Sequence, residues 1–362
     1  MKNYYFLLIF SSCIIFTVVN GFNLERKEIE LEDQVAIVTG GSRGIGALTA
    51  YHLVVKSGMK VMVSARGESA LKKVCEDINK VKDIKGQCKY FVADVTSTQQ
   101  VDALFEHTRK VFGAPVRFVF ANAGATGAFD TKFTQVKGVI DDIKQTFDIN
   151  VLGYYRALKN AAAHCRLSQG EDCVLVFCSS IVAYETRTLF AAGWDLTSSL
   201  VTYAPTKAAV DHLTRVAASA FIKDSLYIYS LNPAVYDTKM VTDLVDHFEE
   251  TMGLSDDQFS LASFNPIFPK TIGNPADIGP IIEAFFNGKT AYPPGSNVMC
   301  DHHATANSDL QYQVIESSQI AWNPALTQPP NLRDATGHLC VYHADGDDKL
   351  SKELGTYECP SE

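Results

Sequence analysis

The placement of a few glycines constrains this chain more than any other feature. Val35-Ala36-Ile37-Val38 is an unbroken apolar run of strand length, and Thr39-Gly40-Gly41-Ser42-Arg43-Gly44-Ile45-Gly46 follows it at once. The helical pattern Gly44–Ser57 begins inside that loop. A strand that turns through glycines straight into a helix is the opening unit of a doubly wound α/β sheet. Glycines let the backbone turn tightly and approach a pyrophosphate, while the helix N-terminus offers it free N–H groups and a positive dipole end. Gly40, Ser42, Arg43, Gly44, Ile45 and Gly46 are therefore candidate dinucleotide contacts.

Further strand-like runs fall at Lys60–Ser64, Tyr90–Ala93, Val116–Ala121, Cys173–Cys178, Leu226–Leu231 and Asn297–Cys300. Helical patterns separate them near Ala70–Val81, Thr98–Phe112, Gln145–Arg166, Tyr203–Ile222 and Pro275–Phe286. Continuous Val/Ile-rich strands between amphipathic helices predict a parallel sheet covered on both faces, a Rossmann-type α/β fold. The remainder, 301–362, shows no clear periodicity and reads as a C-terminal extension.

Residues 1–21 have another character. Lys2 precedes a nearly uncharged apolar stretch from Tyr4 to Val19, and Val19-Asn20-Gly21 supplies a cleavage-like site. This predicts a secretory signal peptide and a location in the ER lumen or outside the cell. The rival reading is an uncleaved anchor in the ER membrane, which keeps membrane association open. Of nine cysteines, eight remain once Cys13 is removed with the signal, an even number that permits disulfides in an oxidising compartment. Cys340 and Cys359 are placed to staple the tail, and Cys178, in a buried strand, reads as a free core thiol. The net charge of −9 and the lack of a basic run argue against a nucleic-acid partner.

The second strand ends Ser64-Ala65-Arg66, without the acid that an NAD-preferring site places against the ribose 2′-hydroxyl. Arg66 with Arg43 instead suits a 2′-phosphate. The expected cofactor is NADP(H), with NAD(H) not excluded. Tyr203 and Lys207 stand four residues apart, which puts both on one helix face. An ammonium beside a phenol favours the phenolate, so the tyrosine can exchange a proton with a carbonyl or alcohol oxygen. The Ser180 hydroxyl can hold the same oxygen.

Taken in order, Thr39-Gly40-x-x-x-Gly44-x-Gly46, Ala93-Asp94-Val95, Asn122-Ala123-Gly124, Asn150, Ser179-Ser180, Tyr203-x-x-x-Lys207 and Asn232-Pro233-Ala234 resemble the short-chain dehydrogenase/reductase family over about residues 31–300. The resemblance implies that Tyr203 is the general acid/base and that Lys207 binds the nicotinamide ribose and tunes Tyr203. Ser180 would orient the substrate oxygen, and Asn150 would hold a water in the proton relay. Asp94 would contact the adenine, Asn122 would steady the sheet beside the cofactor, and Thr238 would meet the nicotinamide carboxamide. Val95, Ala123, Gly124, Pro233 and Val235 complete the implied cofactor contacts. The implied activity is interconversion of a small-molecule carbonyl and a secondary alcohol, the substrate being a hydrophobic ketone or alcohol such as a lipid or steroid. Helices Gln145–Arg166 and Tyr203–Ile222 match those that family members use for dimer contacts, which implies a homodimer or homotetramer. The family chemistry needs no metal, and the His302-His303 pair after Cys300-Asp301 lacks a repeated ligand spacing.

Three departures stand out. Ala121 and Ala234 replace the usual asparagine and glycine. The interval from Ser180 to Tyr203 is long, which leaves Ser179 as a rival catalytic serine and assigns 184–199 to the pocket rim. Residues 237–263, rich in Met, Phe and Leu, are expected to form a lid. The alternative function is a non-catalytic NADP(H)-binding sensor or scaffold, whose mark would be a broken catalytic set. Here Asn150, Ser180, Tyr203 and Lys207 are all present.

Overall fold

The central apolar runs become strands buried along their whole length, and the strand order sets where a ligand can bind. In the computed structural model β1 (Val35–Thr39), β4 (Phe118–Ala121) and β5 (Cys173–Cys178) are buried at every residue. The structure describes residues 26–127, 139–183, 200–243, 246, 273–290, 292–300, 341–343 and 356–358. With β2 (Lys60–Ala65), β3 (Gln87–Val92), β6 (Leu226–Pro233) and β7 (Asn297–Cys300), these strands form one seven-stranded sheet in the order β3-β2-β1-β4-β5-β6-β7. Every pairing in it is parallel.

Helices α1 (Gly44–Val55), α2 (Glu68–Asn79) and α3 (Thr98–Phe112) alternate with the first strands, and α4 (Val139–Phe147), α5 (Gly153–Leu167), α6 (Ala204–Phe221) and α7 (Ile278–Asn287) with the rest. They cover both faces. One core joins Leu53 and Val54 of α1, Ile78 of α2 and Phe285 and Phe286 of α7 to the sheet. The other joins Leu104 and Phe105 of α3, Tyr154 and Leu158 of α5 and Val210 of α6. Strand order reverses between β1 and β4, so a crevice opens beyond their carboxyl ends, where such sheets bind ligands.

Among the boundaries that differ from expectation, four have a local cause. The segment expected to be one helix, Gln145–Arg166, is α4 and α5 joined by a π-helical turn, Asp148–Leu152. A continuous apolar stripe conceals such an interruption. β3 begins earlier than Tyr90 because Asn79 brackets Cys88, accepting from its N–H and donating to its carbonyl, both at 2.9 Å. β4 starts two residues after Val116, where Arg117 turns to the Asp172 carbonyl (2.8 Å). Pro275–Asp277 is a separate 3₁₀ turn, capped by Asn274, before α7.

Among the described residues two disulfides tie neighbouring elements: Cys75–Cys88 joins α2 to β3, and Cys165–Cys173 joins α5 to β5. Cys178 is a buried free thiol. Within 301–362, expected to lack periodicity, β8 (Val341–His343) and β9 (Thr356–Glu358) pair antiparallel, immediately between Cys340 and Cys359 in sequence. Among the described residues no helix is long and apolar enough to cross a membrane. The signal segment, the rim 184–199, most of the lid and His302-His303 lie outside the described residues.

Candidate active site

A cavity of about 690 Å³ lies over the β1/β4 reversal, within the range of small-molecule sites. It runs from the glycine loop to the start of α6. Its first end is shaped by backbone. Gly40 and Gly44 take φ of +68° and +55°, a region disfavoured for other residues. A Cβ on Gly46 would stand 2.5 Å from the Gly40 carbonyl oxygen and 2.7 Å from Asn122 Nδ2, so α1 can begin there only with glycine.

Thr39 and Asn122 lock this loop to the end of β4. Thr39 Oγ1 accepts from the N–H groups of Asn122 and Ala123, both at 3.1 Å. Asn122 Nδ2 donates to the Thr39 carbonyl at 3.1 Å and more weakly to Gly40 at 3.4 Å. Ser42, Arg43 and Ile45 line the cavity on this side, with Arg66 and Val95 beyond them. Arg43 and Arg66 are both exposed at its mouth. Asp94 Oδ1 is held by Thr96 N and Oγ1 (2.9 and 2.8 Å). Burial opposes its charge, but these bonds and the nearby Arg66 and Arg156 keep its carboxyl below the usual range. No acid terminates β2, and a bare glycine cradle at a helix N-terminus faces the cavity, so the residues present fit a dinucleotide.

At the far end, β5 and α6 meet. Tyr203 stands at the N-cap of α6 with Pro205 in its first turn, and the Lys207 Nζ lies 5.4 Å from the Tyr203 ring centre. Proline is tolerated there because the first N–H groups of a helix have no intrahelical partner. Lys207 is 3% exposed and its ammonium donates to the Cys178 carbonyl at 2.7 Å. Burial disfavours that charge, but the oxygens of Tyr154 and Tyr203 and the Cys178 thiol outweigh it and hold Lys207 above the ordinary lysine range.

The two serines part company. Ser179 is buried and its hydroxyl donates to the Lys207 carbonyl at 3.1 Å. Ser180 is only half-buried and lines the cavity, and among the described residues its oxygen accepts one long bond, from Val182 N at 3.4 Å. Gly124, Pro233, Val235 and Thr238 also line the cavity, and Thr238 covers the loop: a Cβ on Gly44 would lie 3.4 Å from it.

Gly46 and Asn150 alone among the expected residues stand behind the cavity wall. Asn150, in the π turn, is fully buried. Its Oδ1 accepts from Ala125 N (2.8 Å), and its Nδ2 donates to the Ala125 carbonyl (2.7 Å) and to Thr206 Oγ1 (3.0 Å). The side chain thus ties the loop after β4 to α6 and is consumed in doing so.

Sequence reasoning missed two groups. Tyr154 is buried beside Lys207. A polar network lies beneath Ser180: Asn232 Nδ2 donates to the Ser180 carbonyl (3.1 Å) and to Asp211 Oδ2 (2.8 Å), while Ser230 Oγ joins Asp211, Asn232 and Asn297. A carboxylate four residues after Lys207, on the same helix face, was the available signal for the second group.

Comparison with known proteins agrees with this geometry. The family described as short chain dehydrogenase matches residues 34–248. A chloroplastic NADPH-dependent aldehyde reductase-like protein of Arabidopsis thaliana is 27% identical over 229 residues, 61% of this chain and 79% of that one. The 3-hydroxyacyl-CoA dehydrogenase type-2 of Bos taurus is 24% identical over 270 residues, 70% and 91% of the two chains. Among solved structures, a singly substituted actinorhodin polyketide ketoreductase with NADPH superposes with a TM-score of 0.64 at 19% identity, covering 75% of this chain and 96% of its own.

Proposed function

Because the chain belongs to the short-chain dehydrogenase family, and so is an oxidoreductase interconverting carbonyl and alcohol with a nicotinamide dinucleotide, we propose that it works with NADP(H) on a hydrophobic ketone or secondary alcohol, with Tyr203 as general acid/base. The observation that carries this reading is the convergence of Tyr203, Lys207 and the half-buried Ser180 hydroxyl on one end of a cavity whose other end is a glycine cradle.

The dinucleotide, when bound, supplies or accepts the hydride. In reduction, Tyr203 gives its proton to the carbonyl oxygen while Ser180 donates a hydrogen bond to that oxygen. The Lys207 ammonium stabilises the phenolate left behind, and proton transfer of this kind contributes about 10²–10⁴-fold. Ser180 takes this part rather than Ser179, whose hydroxyl is already given to Lys207. A water in the relay falls to the main chain at Asn150, since its amide is engaged.

Arg43 and Arg66, exposed at the mouth with no acid ending β2, support the preference for a 2′-phosphate. Ile181, Val182, Leu200, Met240 and Val241 give the substrate end an apolar lining. The two disulfides support folding in the secretory pathway after cleavage of residues 1–21. Exposed Leu152 at the end of the π turn, Tyr155 on α5 and Val216 on α6 support a homodimer or homotetramer.

The test is oxidation of NADPH and of NADH over carbonyls from cyclohexanone to steroid ketones and sugars, with Tyr203→Phe alongside. Turnover with NADPH that vanishes in Tyr203→Phe is expected. Tight NADPH binding without turnover in either protein would favour the sensor reading instead.

A further inference from the structure

We propose that Tyr154 is a positioning residue for proton transfer, its hydroxyl fixing the Lys207 ammonium beneath Tyr203. The proposal rests on the acid/base reading of Tyr203 given above. Tyr154 lies one helical turn beyond Asn150, at the start of α5, and is 2% exposed. Its ring stacks on Phe177 at 5.3 Å with 7° between the planes, which aims the hydroxyl at the end of β5.

There it donates to the Cys178 carbonyl at 2.7 Å, and the Lys207 ammonium donates to the same oxygen at 2.7 Å. The sheet explains why that oxygen is available. The N–H of the same peptide, on Ser179, donates to Leu231 of β6, so the Cys178 carbonyl points the other way, towards β4. β4 ends at Ala121, opposite Phe177, one residue short of it. Two donors therefore converge on one acceptor past the end of the ladder.

An ammonium has three protons to place and a phenol oxygen can accept while its own proton is given away. The Tyr154 oxygen is among the groups that favour the Lys207 charge, and the Lys207 Nζ is 5.6 Å from the Tyr154 ring centre and 5.4 Å from that of Tyr203. The ammonium is thus held between two tyrosines, one sealed in the core and one facing the cavity. A phenylalanine at 154 would stack on Phe177 equally well but would remove the second donor on the Cys178 carbonyl and the oxygen dipole beside a buried cation, leaving the ammonium free to shift relative to Tyr203.

The experiment is the pH profile of kcat/KM for cyclohexanol oxidation with NADP, for wild type, Tyr154→Phe, Phe177→Leu and Tyr203→Phe, with thermal unfolding as the fold check. NADPH titration by fluorescence is read in parallel, independently of turnover. In oxidation the rate rises with pH as the general base loses its proton. A less firmly placed ammonium favours that loss less, so in Tyr154→Phe the rising limb moves to higher pH by roughly one unit. kcat falls about tenfold with KM for the alcohol little changed. NADPH affinity weakens about fivefold, because the ribose contact assigned to Lys207 loosens.

Several results overturn the proposal: a Tyr154→Phe profile and NADPH affinity that superimpose on wild type; the same displacement in Phe177→Leu, which disturbs the stack and keeps the hydroxyl; or a Tyr154→Phe chain that does not fold, making the hydroxyl structural. Tyr203→Phe separates this failure from that of the parent reading. Activity surviving in Tyr203→Phe removes the acid/base assignment itself. Activity lost there, beside an unshifted Tyr154→Phe, removes only the role of Tyr154.

Discussion

The two ends of the cleft are built on different principles. The dinucleotide end is made almost wholly of backbone: glycines with no room for a Cβ, and a loop pinned by Thr39 and Asn122 to the neighbouring strand. The catalytic end is made of side chains from distant elements, with Lys207 from α6 and Tyr154 from α5 meeting at one carbonyl and Ser180 lining the cavity after β5. A backbone site tolerates little change and accepts one class of ligand. A side-chain site is held by a few hydrogen bonds, and changing one alters rate or pH dependence before it alters the fold. The same contrast explains how the cofactor end can stay fixed while the substrate end is free to vary.

The strongest test of this contrast is Gly46→Val. Its Cβ would be driven into the Gly40 carbonyl and Asn122, neither of which can retreat without opening the loop. NADPH affinity is expected to fall at least about 100-fold, with a stability loss of about 1–3 kcal/mol from overpacking. Fluorescence titration and thermal unfolding measure both. Affinity within a few-fold of wild type would mean that the cradle is not backbone-determined.

Next comes the Cys75–Cys88 link, which braces α2 against the edge strand β3 on the dinucleotide side. Replacing both residues by serine is expected to cost up to about 3 kcal/mol, since the bond closes a short loop. Mapping peptides without reduction is expected to show Cys75–Cys88, Cys165–Cys173 and, from their places flanking the β8–β9 pair, Cys340–Cys359. A fully reduced protein from the medium of secreting cells would break the disulfide assignment. Arg66→Asp follows, a polar exception in the backbone-built half. It is expected to lower the NADPH-over-NADH preference about tenfold or more, the worth of a charge-assisted bond, with kcat on the preferred cofactor nearly unchanged. An unchanged ratio would place recognition of the 2′-group elsewhere.

Legibility in sequence follows the same division. The strands, the glycine loop and the helix-face pairing of Tyr203 with Lys207 are local patterns, so they could be read directly, and the parallel sheet follows from them. The π turn at Asp148–Leu152 could not, because what accompanies it is a contact between Asn150 and Ala125, far away in sequence, on an apolar stripe that runs through unbroken. Tyr154 and Asp211 were hidden for a related reason. On a helix face one buried tyrosine looks like core, and only the fold shows that its hydroxyl shares an acceptor with Lys207. Ser179 and Ser180 were ambiguous because they are adjacent just past the end of β5, where sequence does not tell which side each faces. The Ser179 bond to the Lys207 carbonyl distinguishes them geometrically.

The smallest effect is expected on the outer wall of the dinucleotide half. There α1 packs so closely on α7 that a Cβ on Gly279 would lie 2.5 Å from that of His52. His52 Nε2 meets Glu283 Oε2 across this contact at 2.5 Å. That bond, against the cost of burial, keeps the Glu283 carboxyl below its ordinary range. A carboxyl lowered in the folded state adds stability above its unfolded value and loses it as pH falls through the folded one. Glu283→Gln should therefore lower stability at about pH 6, by no more than about 1 kcal/mol because the pair is partly exposed. The gap from wild type should close between about pH 5 and about pH 3. NADPH affinity should not move, since the carboxylate braces the far end of α1 and the proposed nucleotide site is at its glycine N-terminus. Should affinity fall with stability, the cradle would depend on how α1 is seated as well as on its own backbone, and the division between the two ends of the cleft would be less sharp than the glycines suggest.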